Sequence, residues 1–326
     1  MDGIENASSS SSIGCLPTQI QMPTVALNLV LAETRIFSGN SLNATVLLDS
    51  ADPDNTIIEF FAEILGIGKT GWVNIRTDKI YETEYVRNEF VHFFIPLCQR
   101  NVNLSPGRHR FNLHVNIPET APSSLESQFG SIRYTIRLQL IGNAEHCSAL
   151  EVFPFLVVAK SYLDQLPLAI LKHIDYEDEI NFTVCTLPFG VVRLRISLNR
   201  TGFSVGEVIQ VCISIKNGSR KQLKECCLQL MLKSHFLAQS RYEQANDTKL
   251  VETLLDSHKI DNIKGRSEIN TEECLLRIPE QTIPTMHSPI ISLSYVLRFI
   301  ALPGIETEIP LYITSLGYKN SNGKNY

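Results

Sequence analysis

The segment Gly66-Ile67-Gly68-Lys69-Thr70 is the first place where residue types and spacing suggest chemistry, because Gly-Lys-Thr closes a phosphate-binding loop. Such a loop cradles phosphate in backbone N–H groups and touches it with the lysine. It requires a glycine five positions before the Gly-Lys-Thr and a helix after it. Glu63 stands at the glycine position, and Gly71-Trp72-Val73 follow, which read as the entry to a strand. The expectation is a loop between strands, not a nucleotide site.

Metal and nucleophile chemistry have no better footing. His109 and His114 are an odd number of residues apart in an alternating stretch, so their side chains point to opposite faces. The eight cysteines include scattered Cys15, Cys98, Cys147, Cys185, Cys212 and Cys274, with only Cys226 and Cys227 adjacent. No C-x-x-C pair occurs, so reduced thiols are expected rather than a zinc ribbon or a redox centre. Neither G-x-S-x-G nor H-E-x-x-H is present. No catalytic, metal or cofactor residue is assigned, no cofactor is expected, and the chain is not read as an enzyme. A hydrolase on a β-sandwich would need polar side chains to converge in a deep pocket.

One cationic group stands out. Lys69, Arg76 and Lys79 fall between a strand expected to end near Leu65 and one starting near Glu89. A loop carrying them could meet an acidic or phosphorylated partner. Asp78, Glu82 and Glu84 dilute the charge, and an ordinary solvated loop is the competing reading.

These residues must be positioned by strands. In 108–117 the apolar set Phe111, Leu113, Val115 and Ile117 alternates with Arg110, Asn112, His114 and Asn116. In 131–140 Ile132, Tyr134, Ile136, Leu138 and Leu140 alternate with Arg133, Thr135, Arg137 and Gln139. This period of two marks strands with one buried face. Turn chemistry at 38–40, 52–55, 105–107 and 217–219 separates such runs, and long helical periods are scarce. Many short strands of this kind build β-sandwiches. With 326 residues, 44% hydrophobic and 19% charged, the chain can fill about two domains. The net charge of −5 brings no basic excess for nucleic acid.

An internal repeat sets the domain plan. Ile117-Pro118-Glu119 precedes Ser131-Ile132-Arg133-Tyr134, and Ile278-Pro279-Glu280 precedes Ser292-Leu293-Ser294-Tyr295, with sixteen positions from Pro to Tyr in both. Phe37-Ser38-Gly39 and Phe203-Ser204-Val205-Gly206 agree more loosely. The expected fold is therefore all-β, with two tandem immunoglobulin-like sandwiches over 23–158 and 188–317. Residues 159–187, with the acidic run Asp175, Glu177, Asp178 and Glu179, are expected to form a linker on a polar surface. Residues 1–22 are expected as a disordered serine-rich tail and 318–326 as a disordered end. The N-terminus lacks an apolar signal region, and no apolar run reaches the roughly 20 residues of a membrane span. A cytoplasmic protein follows, with no integral membrane segment.

The motifs then converge on a known family. Ser105-Pro-Gly-Arg-His-Arg-Phe111, Ile117-Pro118-Glu119, Pro122-Ser-Ser-Leu-Glu126 and Gly130-Ser131-Ile132-Arg133-Tyr134 resemble the N-terminal domain of the α-arrestins. Thr201-Gly-Phe-Ser-Val-Gly206-Glu207, Pro279, Ser288-Pro-Ile-Ile291, Tyr295-Val-Leu297, Pro303-Gly304 and Glu308-Ile-Pro-Leu311 resemble the arrestin C-terminal domain. The resemblance runs from about Thr24 to Leu316. It implies arrestin-type sandwiches and an adaptor that binds membrane-protein cargo for endocytosis or sorting, recruited to plasma membrane or endosomes. It also implies that Gly66–Glu84 occupies the position of the receptor-probing loop. Family adaptors recruit ubiquitin ligases through Pro-Pro-x-Tyr, which is absent from this sequence, so a ligase would be engaged indirectly or through other arrestin-like proteins. A retromer-type coat subunit is the alternative within the fold, and an extracellular adhesion module the alternative outside it.

Overall fold

The computed structural model describes residues 24–51, 56–76, 79–84, 86–144, 147–184, 187–240 and 246–319. In the first half the strands are β1 (Val25–Leu31), β2 (Arg35–Phe37), β3 (Ser41–Ser50), β4 (Thr56–Thr70), β5 (Val73–Arg76) and β6 (Lys79–Glu84). They are followed by β7 (Val86–Pro96), β8 (Val102–Asn103), β9 (Gly107–Asn116), β10 (Leu125–Ser127), β11 (Gly130–Gly142) and β12 (Ala149–Val158). A three-stranded sheet, β1-β3-β9, faces a seven-stranded sheet built on β2-β12-β11-β4-β7. Alternation does the sorting: Leu42, Ala44, Val46 and Leu48 of β3 meet Ile132, Tyr134, Ile136 and Leu138 of β11 in one buried core.

The second half repeats the plan. Its strands are β13 (Ile174–Val184), β14 (Leu187–Leu198), β15 (Gly202–Ser204), β16 (Val208–Asn217) and β17 (Lys224–Ser240). Then come β18 (Asn246–Lys259), β19 (Ser267–Arg277), β20 (Met286–His287), β21 (Ile291–Leu302) and β22 (Ile305–Thr314). One sheet runs β13-β14-β16-β19, and the other runs β15-β22-β21-β17 with β18 on the free side of β17. Strand β2 pairs parallel with β12, as β15 does with β22. The next turns also coincide: Gly39 at φ +79° lies against Glu119, and Gly206 at φ +83° against Glu280. Positive φ is cheap only for glycine. The glycines therefore align as the sequence suggests, whereas the Phe-Ser pairs shift by one, because Asn40 N–H bonds the Phe37 carbonyl and Glu207 N–H that of Ser204.

Two expectations need correction. Residues 174–184, expected inside a linker, form β13, paired along its length with β14. The acids conceal an ordinary alternation: Asp175, Glu177 and Glu179 point outward while Ile174, Tyr176 and Ile180 turn inward. The outward acids meet Arg193, Arg195 and Ser197 on β14. The remaining connection is also tied down, with Lys160 N–H on Ser38 Oγ, Ser161 bonded to Ser315, and a short 3-10 turn at Leu163–Gln165 whose Leu163 is fully buried. At the other end, residues 1–22 and 320–326 lie outside the described residues. Tyr318 and Lys319, expected in the disordered end, are held: Arg200 donates to Tyr318 Oη at 3.3 Å, and Lys319 N–H meets Asp164.

The core of the first half is not built from that half alone, while the second half has a core of its own. Phe236, Ala238, Met286, Ile290, Ile291 and Leu293 come from the second half, yet they pack in the core of the first. Burying a side chain of this size contributes about 1.5–3 kcal/mol, so this seam is an energetic part of the first sandwich.

Candidate interaction surface

Strand β4 carries Gly66 to Thr70, the stretch expected as a loop; it continues through Thr70, paired with β11 on one side and β7 on the other. The reason is the inward face of β4. A Cβ on Gly66 would sit 2.4 Å from the Tyr134 ring, and one on Gly68 would sit 2.7 Å from Phe90 and 2.9 Å from Ile290. The glycines admit aromatic rings close to the backbone, a packing role that a phosphate-loop spacing imitates.

Beyond Thr70 the chain meets the seam. Thr70 Oγ1 donates to the Leu237 carbonyl at 2.5 Å, and Trp72 Nε1 donates to Asp247 Oδ2 at 3.0 Å. The Trp72 ring stands edge-on to Phe129 at 5.9 Å, and Phe129 meets Phe236 at 6.1 Å. Aromatic pairs of this geometry add about 0.5–1.5 kcal/mol beyond their burial. This cluster holds the base of the β5–β6 hairpin against both halves. The hairpin then leaves its own sandwich: Glu84 and Thr83 of β6 pair with Gln239 and Ser240 of β17. It takes the side of β17 that β21 occupies up to Phe236. A segment of the first half thus extends a sheet of the second.

The three cations expected on a loop are distributed over strands. Lys69 is exposed on β4, opposite Ser131 on β11 and Arg87 on β7. Arg76 and Lys79 face each other as the last register pair of β5 and β6, and their side chains lie outside the described residues, as does Asp78. Residue spacing alone did not reveal the seam, because Trp72, Phe129, Phe236 and Ile290 are far apart in sequence. The sole tryptophan, directly after a glycine-rich strand, is the available signal.

The other motif residues have structural places. Pro118 and Pro279 each accept a turn hydrogen bond, from Ala121 and Thr282. A Cβ on Gly130 would lie 2.8 Å from the Lys69 carbonyl, Ser131 pairs with Lys69, and Ile132 is buried. Exposed Arg133 grips Glu126 with two nitrogens. Tyr134 and Tyr295 are buried with their hydroxyls on backbone carbonyls, and burial pushes both phenols well above their ordinary range. Pro303 and Gly304, the latter at φ +70°, turn the chain from β21 into β22.

Among the described residues, Cys98, Cys147, Cys212, Cys226, Cys227 and Cys274 stand outside any disulfide. Among the described residues, no helix is long and apolar enough to cross a membrane.

Residues 32–160 match the family model described as Arrestin (or S-antigen), N-terminal domain, and residues 188–318 the corresponding C-terminal domain. The chain is 46% identical to Arrestin domain-containing protein 15 of Caenorhabditis elegans, over 95% of this chain and 84% of that protein. It is 28% identical to human Arrestin domain-containing protein 5, over 64% of this chain and 63% of that one. Mouse Arrestin domain-containing protein 4 is 24% identical over 75% of this chain and 58% of its own length. Two tandem β-sandwiches with duplicated turns, matched across both halves, make the chain a member of the arrestin family, on its arrestin domain-containing, α-arrestin branch.

Proposed function

We propose that the protein is a cytoplasmic adaptor that binds the cytoplasmic tails or loops of membrane-protein cargo and supports their endocytosis, sorting or ubiquitin-linked trafficking. The observation that carries this reading is the β5–β6 hairpin, rooted in the Trp72–Phe129–Phe236 cluster and paired to β17. A hairpin held at its base by both halves gives a partner one contact through which to sense the relation between them. Lys69, Arg76 and Lys79 are the residues assigned to an acidic or phosphorylated segment of cargo, by charge-assisted hydrogen bonds. The absence of Pro-Pro-x-Tyr from the sequence leaves any ubiquitin ligase to an indirect contact, for example through another arrestin-like protein. No catalytic step and no cofactor enter this function.

The test is affinity purification of the tagged protein from cells, with mass spectrometry of partners, for the wild type and for Lys69→Glu/Arg76→Glu/Lys79→Glu. The expected result is recovery of membrane receptors or transporters by the wild type and their loss from a variant that melts normally. Unchanged cargo recovery by the triple variant removes these residues from the site. One constant set of coat subunits, indifferent to the variant, replaces the adaptor reading with that of a coat component.

A further inference from the structure

Strand β19 breaks the rule that keeps its inner face apolar. Cys274 and Leu276 line the buried side, and Glu272, two positions before Cys274, shares it. Strand β18 has a matching irregularity, because His258 is registered opposite fully buried Leu228 of β17. These strands end the two sheets on the same side of the second sandwich, so their inner residues face each other across the opening between sheets. There the donor atoms of His258, Glu272 and Cys274 all lie within 4.8 Å of one another.

None of the three side chains has a hydrogen-bond partner among the described residues, and His258 Nε2 to Glu272 Oε1, at 3.9 Å, is beyond hydrogen-bond length. Polar groups turned toward a core normally find partners. An imidazole and a carboxylate at ion-pair distance, with a thiol within reach of both, form a ligand set. We propose that His258, Glu272 and Cys274 bind one zinc ion that fastens β18 to β19 across the mouth of the second sandwich. Nitrogen, oxygen and sulfur donors together suit zinc, which accepts three protein ligands and a water in tetrahedral geometry. Calcium and magnesium, which require oxygen ligands throughout, do not fit. In the metal-free chain burial, then Glu272 and Cys212, push the Cys274 thiol up to about 11. Binding therefore forms the zinc–sulfur bond as one proton leaves for solvent. His258 and Glu272 are about one-third exposed, which gives the ion a path in while Cys274 forms the floor.

The experiment uses the full chain, stripped with a chelator and titrated with Zn²⁺ against a chromophoric competitor, and separately with Co²⁺. One equivalent should bind, the cobalt form should show a thiolate-to-metal charge-transfer band, and the thermal midpoint should rise with added zinc. Cys274→Ser should abolish the band. Should that core substitution unfold the chain, His258→Gln, at a side chain about one-third exposed, serves instead, and it should weaken zinc at least about tenfold, the lower end of what even outer-shell changes cost. Stoichiometric binding unaltered by His258→Gln, a cobalt spectrum without thiolate character, or no binding each overturns the site.

Discussion

Tyr134 and Tyr295 make the same bond in the two halves: each hydroxyl donates to the carbonyl of the residue twelve places earlier, Tyr134 to Pro122 at 2.7 Å and Tyr295 to Ile283. The backbone around them repeats as well. Ser124 N–H bonds the Val157 carbonyl while its Oγ accepts from Val157 N–H, and Thr285 does the same with Ile313. Each tyrosine thus locks the segment that returns from the last turn onto the long central strand.

Tyr134→Phe is expected to cost about 1–3 kcal/mol, since it leaves the buried Pro122 carbonyl without its donor, and Tyr295→Phe about 1 kcal/mol, since the Ile283 carbonyl is only part-buried. Urea denaturation of both variants checks this. A loss at one position and none at the other would show that the two bonds are not equivalent.

Gly66→Ala should destabilise by about 1–3 kcal/mol, because the new methyl meets the Tyr134 ring and the Val91 side chain at once. Neither neighbour is the loose end of a flexible chain. The double variant Gly66→Ala/Tyr134→Leu should lose less than the sum of the two single losses, and thermal melting of the set reads that coupling.

Trp72→Ala should cost about 3–5 kcal/mol, the range for an aromatic removed from a packed site. It takes away the Asp247 hydrogen bond and the edge of the Phe129 ring. Hydrogen exchange should show β5 and β6 losing protection before the strands of either core. Asp247→Asn keeps an acceptor and should disturb the hairpin far less.

Acid should loosen the second half through its outer carboxylates. Hydrogen bonds from Ser197 and Arg195 bring the Asp175 carboxyl down to about 2, and the Arg298 hydrogen bond holds Glu252 below its ordinary range. Both are lowered in the fold, so their contribution is complete above the ordinary carboxylate value of about 4 and is lost as pH falls toward about 2. Denaturation midpoints measured across that window should decline less steeply in Arg195→Met than in the wild type. An identical slope would remove Asp175 from the account.

The legible part of this fold was the part set by alternation and by turns. The 108–117 and 131–140 patterns are strands β9 and β11, and the matched Pro-to-Tyr spacing is the duplication itself. Strand β13 was hidden because its outward positions are acids, a pattern shared with solvated linkers, and only the facing arginines of β14 distinguish the two. Gly66 and Gly68 were misleading for a different reason. Glycine spacing shows that something comes close to the backbone, and an aromatic ring leaves the same mark as a phosphate. The seam and the His258–Glu272–Cys274 group depend on contacts between residues distant in the chain, which periodicity does not encode.

The shared seam has a consequence for the chain as an inheritable unit. A gene duplication ordinarily yields two pieces that can be lost, copied or exchanged separately. Here Phe236, Ile290 and Ile291 complete the core of a sandwich to which they do not belong by sequence, and β6 repays the loan on the edge of β17. The first copy lacks part of its interior when the second is removed, whereas the core of the second is built from its own residues, so the dependence runs one way.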